Sequence, residues 1–356
     1  MKLGIIGLPQ SGKTTVFNAL TRAQQPTGEA VSRMQVHAAV VDVPDERVDR
    51  LTDMFHPRKT IYAKVTYTDI AGLGSAADKG EISGQLLNHL TQMDGFIHVV
   101  RCFENPAIAH VRESLDPDRD IRLMDEEFML NDQIMVERKL EKLMEERKKG
   151  GGRDKGIIER DIALFQRFTS SLSEGQPLRL MALNAEEEKS MAGFGFLSRK
   201  PLLLLLNLGE GQPEPSLVQP PENAILTALQ GKLEMDIAQL ADDEAQLFMR
   251  EYGIAELGLV RLISMSYDLL GLQSFFTVGE DEVRAWTVRR GALAPEAAGV
   301  VHTDMEKGFI RAEVVAFADL MDSGGMAEAR AKGRLRLEGK QYAVQDGDVI
   351  SIRFTS

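Results

Sequence analysis

Gly7-Leu8-Pro9-Gln10-Ser11-Gly12-Lys13-Thr14 follows the apolar run Leu3-Gly4-Ile5-Ile6 and leads into the helical face Val16, Phe17 and Leu20. A strand, a glycine turn and a helix in that order, with GxxxxGK[ST] spacing, predict a cradle for a nucleoside triphosphate. The first N–H groups of a helix have no partner within it and carry partial positive charge, so a turn that aims them inward receives phosphate oxygens. Gly7 and Gly12 permit the close approach, and Pro9, Gln10 and Ser11 form the rest of the loop. Lys13 brings a point charge to the outer phosphates, where it acts in catalysis as well as binding. Thr14 offers a hydroxyl to the Mg²⁺ that accompanies them, and Thr15 reaches the inner phosphate.

Further along, Tyr67-Thr68-Asp69-Ile70-Ala71-Gly72 closes a second strand. Beside a phosphate loop, a carboxylate at this place holds Mg²⁺ through water, and a glycine N–H senses the γ-phosphate; Asp69 and Gly72 take those roles. The other reading of Asp69 is a cap for the helix that follows. Leu73 comes next, where Ras-like enzymes carry the Gln that orients the attacking water. Leucine can neither donate to nor accept from water, so low intrinsic turnover is expected. The small-residue run 73–80 suits a segment ordered by the γ-phosphate.

The base pocket is expected at Asn207-Leu208-Gly209-Glu210, after the run Pro201 to Leu206. Guanine-specific proteins carry NKxD there, and the Asp accepts two hydrogen bonds from donors that adenine lacks. With Leu208 in place of Lys and Glu210 one methylene longer than Asp, that clamp is lost and the pocket should accept ATP.

The 356 residues exceed one ordinary domain, and a hydrophobic content of 43% suffices for two or three cores. No apolar run approaches the ~20 residues of a membrane span, and the N-terminus reads as a core strand, so a cytoplasmic protein is expected. One cysteine, Cys102, rules out an internal disulfide framework and reads as a small buried hydrophobe at a strand end. A net charge of −12 argues against a broadly basic nucleic-acid surface; DNA is not expected as a partner, and any RNA contact must be local.

Apolar strands at 39–43, 63–69, 95–100 and 201–207 alternate with helical stretches, which predicts a mostly parallel sheet covered by helices. Between them, Val136, Leu140 and Leu143, and then Ile158, Ile162, Phe165, Thr169 and Leu172, repeat at three-and-four spacing around Gly150-Gly151-Gly152. This is the pattern of an antiparallel helical hairpin. Its tip gathers Arg147, Lys148, Lys149, Arg153 and Lys155, which read either as a solvated turn or as a contact for RNA phosphate. From about 276, short strands at 283–288, 309–315, 335–337, 342–344 and 349–354, with one helix within 319–331, predict a small α+β domain.

The phosphate loop, Asp69-Ile70-Ala71-Gly72-Leu73, Arg101-Cys102-Phe103-Glu104-Asn105, Asn207-x-x-Glu210 and Val283-Arg284-Ala285-Trp286-Thr287 together resemble the YchF or Obg-like ATPase family. So do Ala298 to Asp304, Glu306 to Glu313 and Val344 to Val349, and the resemblance spans the chain. It implies an α/β fold: a Ras-like phosphate-loop domain (1–119 and 189–275) interrupted by a coiled-coil hairpin (120–188) and followed by a β-grasp TGS domain (276–356). It also implies ATP in preference to GTP, Mg²⁺-dependent hydrolysis, and association with the ribosome through the hairpin tip and TGS domain as a translation or stress regulator. A nucleotide-responsive adaptor with incidental hydrolysis and a translation GTPase are the alternatives.

By the same resemblance His110 is a candidate to orient water, against a histidine with no catalytic part, and Phe103 lines the adenine pocket or packs in the core. Three positions depart from the family. Gln10 replaces the usual Asn linked to a monovalent cation, which counts against potassium activation. Arg33 stands where the first switch would supply a Thr to Mg²⁺, with Ser32 adjacent. Some members have a redox cysteine near that switch, where this chain has Ser32 and Met34, so no redox switch is expected.

Overall fold

The computed structural model describes residues 1–27, 36–71, 82, 84–105, 110–112, 114–149, 153–191, 193–213, 215 and 222–355. The strands are β1 (Lys2–Ile6), β2 (Val36–Asp42), β3 (Lys59–Ile61), β4 (Lys64–Ile70), β5 (Gly95–Arg101), β6 (Leu202–Asn207), β7 (Ala224–Leu229), β8 (Leu272–Val278), β9 (Glu282–Arg289), β10 (Phe309–Ala316), β11 (Arg336–Glu338) and β12 (Asp348–Phe354). The chain divides into two compact units, Met1–Ala39 with Thr66–Leu259, and Val40–Val65 with Val260–Ser356.

In the first unit the strand order is β2-β4-β1-β5-β6-β7, and β4, β1, β5, β6 and β7 run parallel. Every residue of β5 and β6 is buried, which is why the leucines 202–206 of β6 form an unbroken apolar run rather than an alternating one. The register pairs Ile5 with Asp69, Ile6 with His98, and Arg101 with Asn207, so the carboxyl ends of four strands line up beside the turn that follows β1. Ligands of open parallel sheets bind outside those ends.

The hairpin is present, but its boundary lies elsewhere than at 120. One helix runs unbroken over Pro117–Lys149, and its first turns bury Ile121, Met124 and Phe128 against Phe96, Leu204 and Leu206 of the sheet. The rest of the helix carries Val136 and Leu143 against Ile158, Ile162, Phe165 and Leu172 of the helix Lys155–Ser173, as the spacing predicted. Asp154 caps this second arm by accepting from the Ile157 N–H at 3.2 Å. Phe194 and Phe196 stack at 5.3 Å and close the hairpin's own core against Phe165. The glycine break at 150–152 lies outside the described residues.

The second unit holds a sheet of order β11-β10-β12-β8-β9-β3. β8 pairs antiparallel with β9, β10 antiparallel with β12, and β12 parallel with β8, with the helix Ala294–Val301 packed on Phe275, Val288, Ala312 and Ile350. This unit does not begin at 276: β8 starts at Leu272, and Val40–Val65 contributes edge strand β3, parallel to β9. Arg47 ties that early segment in, bonding Asp45 at 2.8 Å and Asp346 at 2.7 Å with its guanidinium over the Phe276 ring. The expected strand at 342–344 is a single bridge from Leu293 to Ala343. The expected helix within 319–331 is two, Phe317–Ser323 and Met326–Ala331, because Gly324 adopts φ 89° and ends the first.

Candidate functional site

After β1 the backbone enters the left-handed region at Gly7 (φ 146°), Gln10 (φ 63°) and Gly12 (φ 95°). A Cβ on Gly7 would lie 2.4 Å from the Val99 carbonyl of β5, and one on Gly12 would lie 2.1 Å from Asn207 Nδ2. Both glycines are therefore required by conformation and by space. Gly12 is the N-cap of the helix Lys13–Thr21 and brings no side-chain oxygen to it, which leaves the helix's first N–H groups available to an anion.

Lys13 is buried, and its Nζ donates to the carbonyls of Gly7 at 2.9 Å and Leu8 at 2.8 Å. Burial pushes its ammonium down to about 8, and Asp69 partly offsets this. Thr14 Oγ1 donates to Asp69 Oδ2 at 2.8 Å. Burial raises the Asp69 carboxyl, while the Thr14 hydroxyl, Lys13 and His37 pull it back. Asp69 Oδ1 and Ser11 Oγ are buried with no hydrogen-bond partner among the described residues. A carboxylate oxygen and a hydroxyl left unpaired inside protein are costly, and a hydrated divalent cation and a phosphate oxygen are the groups that would satisfy them. The residues present therefore fit a magnesium–polyphosphate complex.

Asn207 is buried at the end of β6, where Nδ2 donates to Ser11 O at 2.9 Å and Oδ1 accepts from the Gly231 N–H at 3.0 Å. The residue that the sequence reading assigns to the nucleotide base therefore also braces the phosphate loop, and its amide carries a second N–H beyond the one given to Ser11. Leu208 is corrected, since its side chain is buried in the core with Cys102, Phe96 and Leu206 rather than facing a pocket. Glu210 is exposed. Gln212, which belongs to no motif, accepts from the Gly209 N–H at 3.0 Å and donates to Cys102 O, setting the turn that carries Glu210.

Phe103 lies beside the loop: its Cε1 is 3.9 Å from the Cβ position of Gly12, and its own Cβ is 3.5 Å from that of Gly209. Arg101 stacks on its ring at 4.7 Å and donates to its carbonyl at 3.2 Å. Pro9, Gln10, Gly12, Thr14 and Thr15 remain half-buried or exposed at the mouth. Cys102 is buried and its thiol is pushed up to about 12, in keeping with a packing role.

Two readings of His110 stand from the sequence, a water-orienting group and a histidine with no catalytic part. Its Nδ1 accepts from the Arg112 N–H at 3.1 Å, which leaves Nε2 to donate to the buried carboxylate of Asp120 at 3.0 Å, itself bonded by Arg119. Both ring nitrogens are engaged by protein in this conformation. Gly72, Leu73, Ser32, Arg33 and Met34 lie outside the described residues. The hairpin-tip cluster is less basic than it reads: Arg147 pairs with Glu159, Lys149 with Glu145, and Arg153 with Glu146 and Asp161. Only Lys148 and Lys155 stand without an acidic partner among the described residues.

Comparison with known proteins agrees with this geometry. Residues 2–139 match the family model described as 50S ribosome-binding GTPase. Residues 272–355 match the YchF-GTPase C-terminal family, described as a protein of unknown function. The chain is 39% identical over 363 residues to the ribosome-binding ATPase YchF of Bacillus subtilis, covering 99% of this chain and 98% of that protein. It is 38% identical over 362 residues to the protein of the same name from Escherichia coli O157:H7, with 99% of each covered. The solved structure of the Schizosaccharomyces pombe YchF GTPase superposes with a TM-score of 0.80 at 28% identity, over 99% of this chain and 97% of that one. With the phosphate loop, the Asp69 strand and the C-terminal sheet all matched along its length, the chain belongs to the YchF family.

Proposed function

We propose that this chain is a ribosome-binding ATPase that takes ATP in preference to GTP and hydrolyses it slowly. The observation that carries the reading is the Thr14 hydroxyl set 2.8 Å from Asp69 at the mouth of a glycine-capped helix, beside a buried Lys13. Helix N–H groups and Ser11 receive the phosphates, and Lys13 exchanges its two loop carbonyls for phosphate oxygens. Mg²⁺ would be held by the Thr14 hydroxyl and, through water, by Asp69, and would there supply positive charge against the outer phosphates.

The relatives' names divide between ATPase and GTPase, and the end of β6 favours adenine. A guanine clamp needs a fixed carboxylate; Glu210 is exposed, and the neighbouring position is a leucine committed to the core. Adenine would lie against Phe103, where no polar group has to be left unpaired. Leu73 offers no side chain to orient water, and His110 is engaged on both nitrogens, so fast turnover requires a group from elsewhere, the Gly72 N–H serving the γ-phosphate. Gln10 in place of the family's Asn leaves potassium without its usual ligand. Ribosome contact through Lys148, Lys155 and the C-terminal sheet would place the work in the cytoplasm; among the described residues no helix is long and apolar enough to cross a membrane.

Displacement of a fluorescent ATP analogue tests the base preference. ATP should compete at lower concentration than GTP, and Lys13→Ala should abolish binding. Tighter competition by GTP would refute the adenine reading, and unchanged binding by the variant would remove the phosphate loop from the site.

A further inference from the structure

The helix Asp242–Glu251 buries none of its ten residues. Leu247 is 58% exposed and Tyr252, its C-cap, 65%. The Phe248 and Tyr252 rings stack on each other at 4.2 Å with planes 14° apart. Glu244, Leu247, Phe248, Glu251 and Tyr252 stand three or four residues apart, so two carboxylates and three large apolar side chains share one face. A solvent helix ordinarily keeps such groups on opposite sides.

We infer that this face docks a cationic polypeptide segment, one in which lysines or arginines alternate with aliphatic residues. An ammonium or guanidinium fits over the Phe248–Tyr252 stack while reaching Glu244 or Glu251, and the side chain's methylene stem lies along Leu247. Asp243 adds to the negative field, while Asp242 is paired with Arg22 at 3.1 Å. Nucleic acid and anionic lipid are repelled by it. A second copy of the helix would set the patch holding Glu244 and Glu251 against the same acidic patch, since a two-fold contact brings one surface onto itself. The inference goes beyond the nucleotide reading and does not rest on it.

The test titrates the full chain into a fluorescein-labelled nonapeptide alternating lysine and leucine, read by anisotropy. Saturable binding is expected, weakened roughly fivefold or more by Leu247→Ser with Tyr252→Ser, which leaves net charge untouched. Glu244→Gln with Glu251→Gln should weaken it comparably and flatten its salt dependence. All four positions sit on a helix that buries nothing, so thermal melts should match the parent chain. Equal affinity for the parent chain and the Leu247→Ser/Tyr252→Ser variant would overturn the proposal, as would absence of saturable binding. Tighter binding of a nine-nucleotide oligouridylate to this face, or a dimer in sedimentation that the same variant dissolves, would also overturn it.

Discussion

Replacing Asn207 by alanine removes both arms of the bridge that fixes the phosphate loop, 2.9 Å to Ser11 O and 3.0 Å from the Gly231 N–H. Alanine leaves a buried carbonyl and a buried amide without partners, and each orphan costs ~1–3 kcal/mol. Together they amount to about 2–6 kcal/mol, because the two groups sit on separate segments and neither can serve the other. For a domain of this size each kcal/mol lowers the melting midpoint by ~2–4 °C, so Asn207→Ala should melt roughly 4–24 °C lower. Nucleotide affinity should fall with it, since the loop loses its anchor at the residue preceding Gly12. Urea unfolding followed by circular dichroism, paired with titration of a fluorescent ATP analogue, measures both. Asn207→Asp sharpens the test. It keeps the acceptor for Gly231 but turns a carboxylate oxygen against the Ser11 carbonyl, so its binding should recover partly in mild acid, where the carboxyl again donates. An alanine variant that unfolds within ~0.5 kcal/mol of the parent and binds ATP unchanged would refute the bridge as the loop's anchor.

Gly12→Ala should abolish nucleotide binding, because the added carbon meets Asn207 Nδ2 at 2.1 Å and φ is 95°; pairing it with Asn207→Ala should relieve the clash but not the backbone strain, and full recovery of binding would show that φ is immaterial. Lys13 has a folded value of about 8 against an ordinary 10.5, so the unfolded chain holds its proton longer and stability should rise with pH across that window. Polyphosphate restores the charge, so binding above about pH 8 should take up a proton; calorimetry in two buffers of different ionisation heat reads this, and no uptake at about pH 9 would contradict it. Asp132 accepts from the Leu197 and Ser198 N–H groups and from Ser198 Oγ, yet burial lifts its carboxyl from 3.8 to about 6. The native state therefore keeps that proton longer, and this residue's contribution to stability should fall as pH rises across that range. Asp132→Asn should flatten the slope in urea unfolding measured at several pH values, and an unaltered slope would assign it to other carboxyls.

The local parts of the site were legible because their chemistry is written in consecutive residues. Gly7, Gly12, Lys13 and Thr14 announce a cradle by spacing, and Asp69 follows from being a carboxylate at the end of a neighbouring buried strand. What the sequence does not disclose is the set of partners these residues find in the fold. Nothing near Asn207 says that its amide also braces Ser11 and Gly231, nor near His110 that the Asp120 carboxylate and the Arg112 N–H meet its ring. Leu208 misled for a related reason: the position after Asn207 reads as pocket by analogy, while it continues the fully buried run of β6 and packs in the core. The unit boundary failed through topology, since a segment as early as Val40–Val65 belongs with the C-terminal sheet.

Charge is the level at which sequence and structure differ most. A cluster of five cations on a chain of net charge −12 reads either as a solvated turn or, by contrast with its surroundings, as an RNA contact. The folded hairpin sets Glu145, Glu146, Glu159 and Asp161 against three of those cations, so their field is largely cancelled before any partner arrives. Exposed ion pairs of this kind add little stability, and their main effect is on what the surface attracts. The two lysines without an acidic partner among the described residues give a weak grip on phosphate, with a shallow salt dependence because few contacts release few counterions. An acidic, aromatic helix such as Asp242–Glu251 recognises protein instead, so a chain of this composition can meet a particle made of RNA and basic protein by addressing both components at separate places.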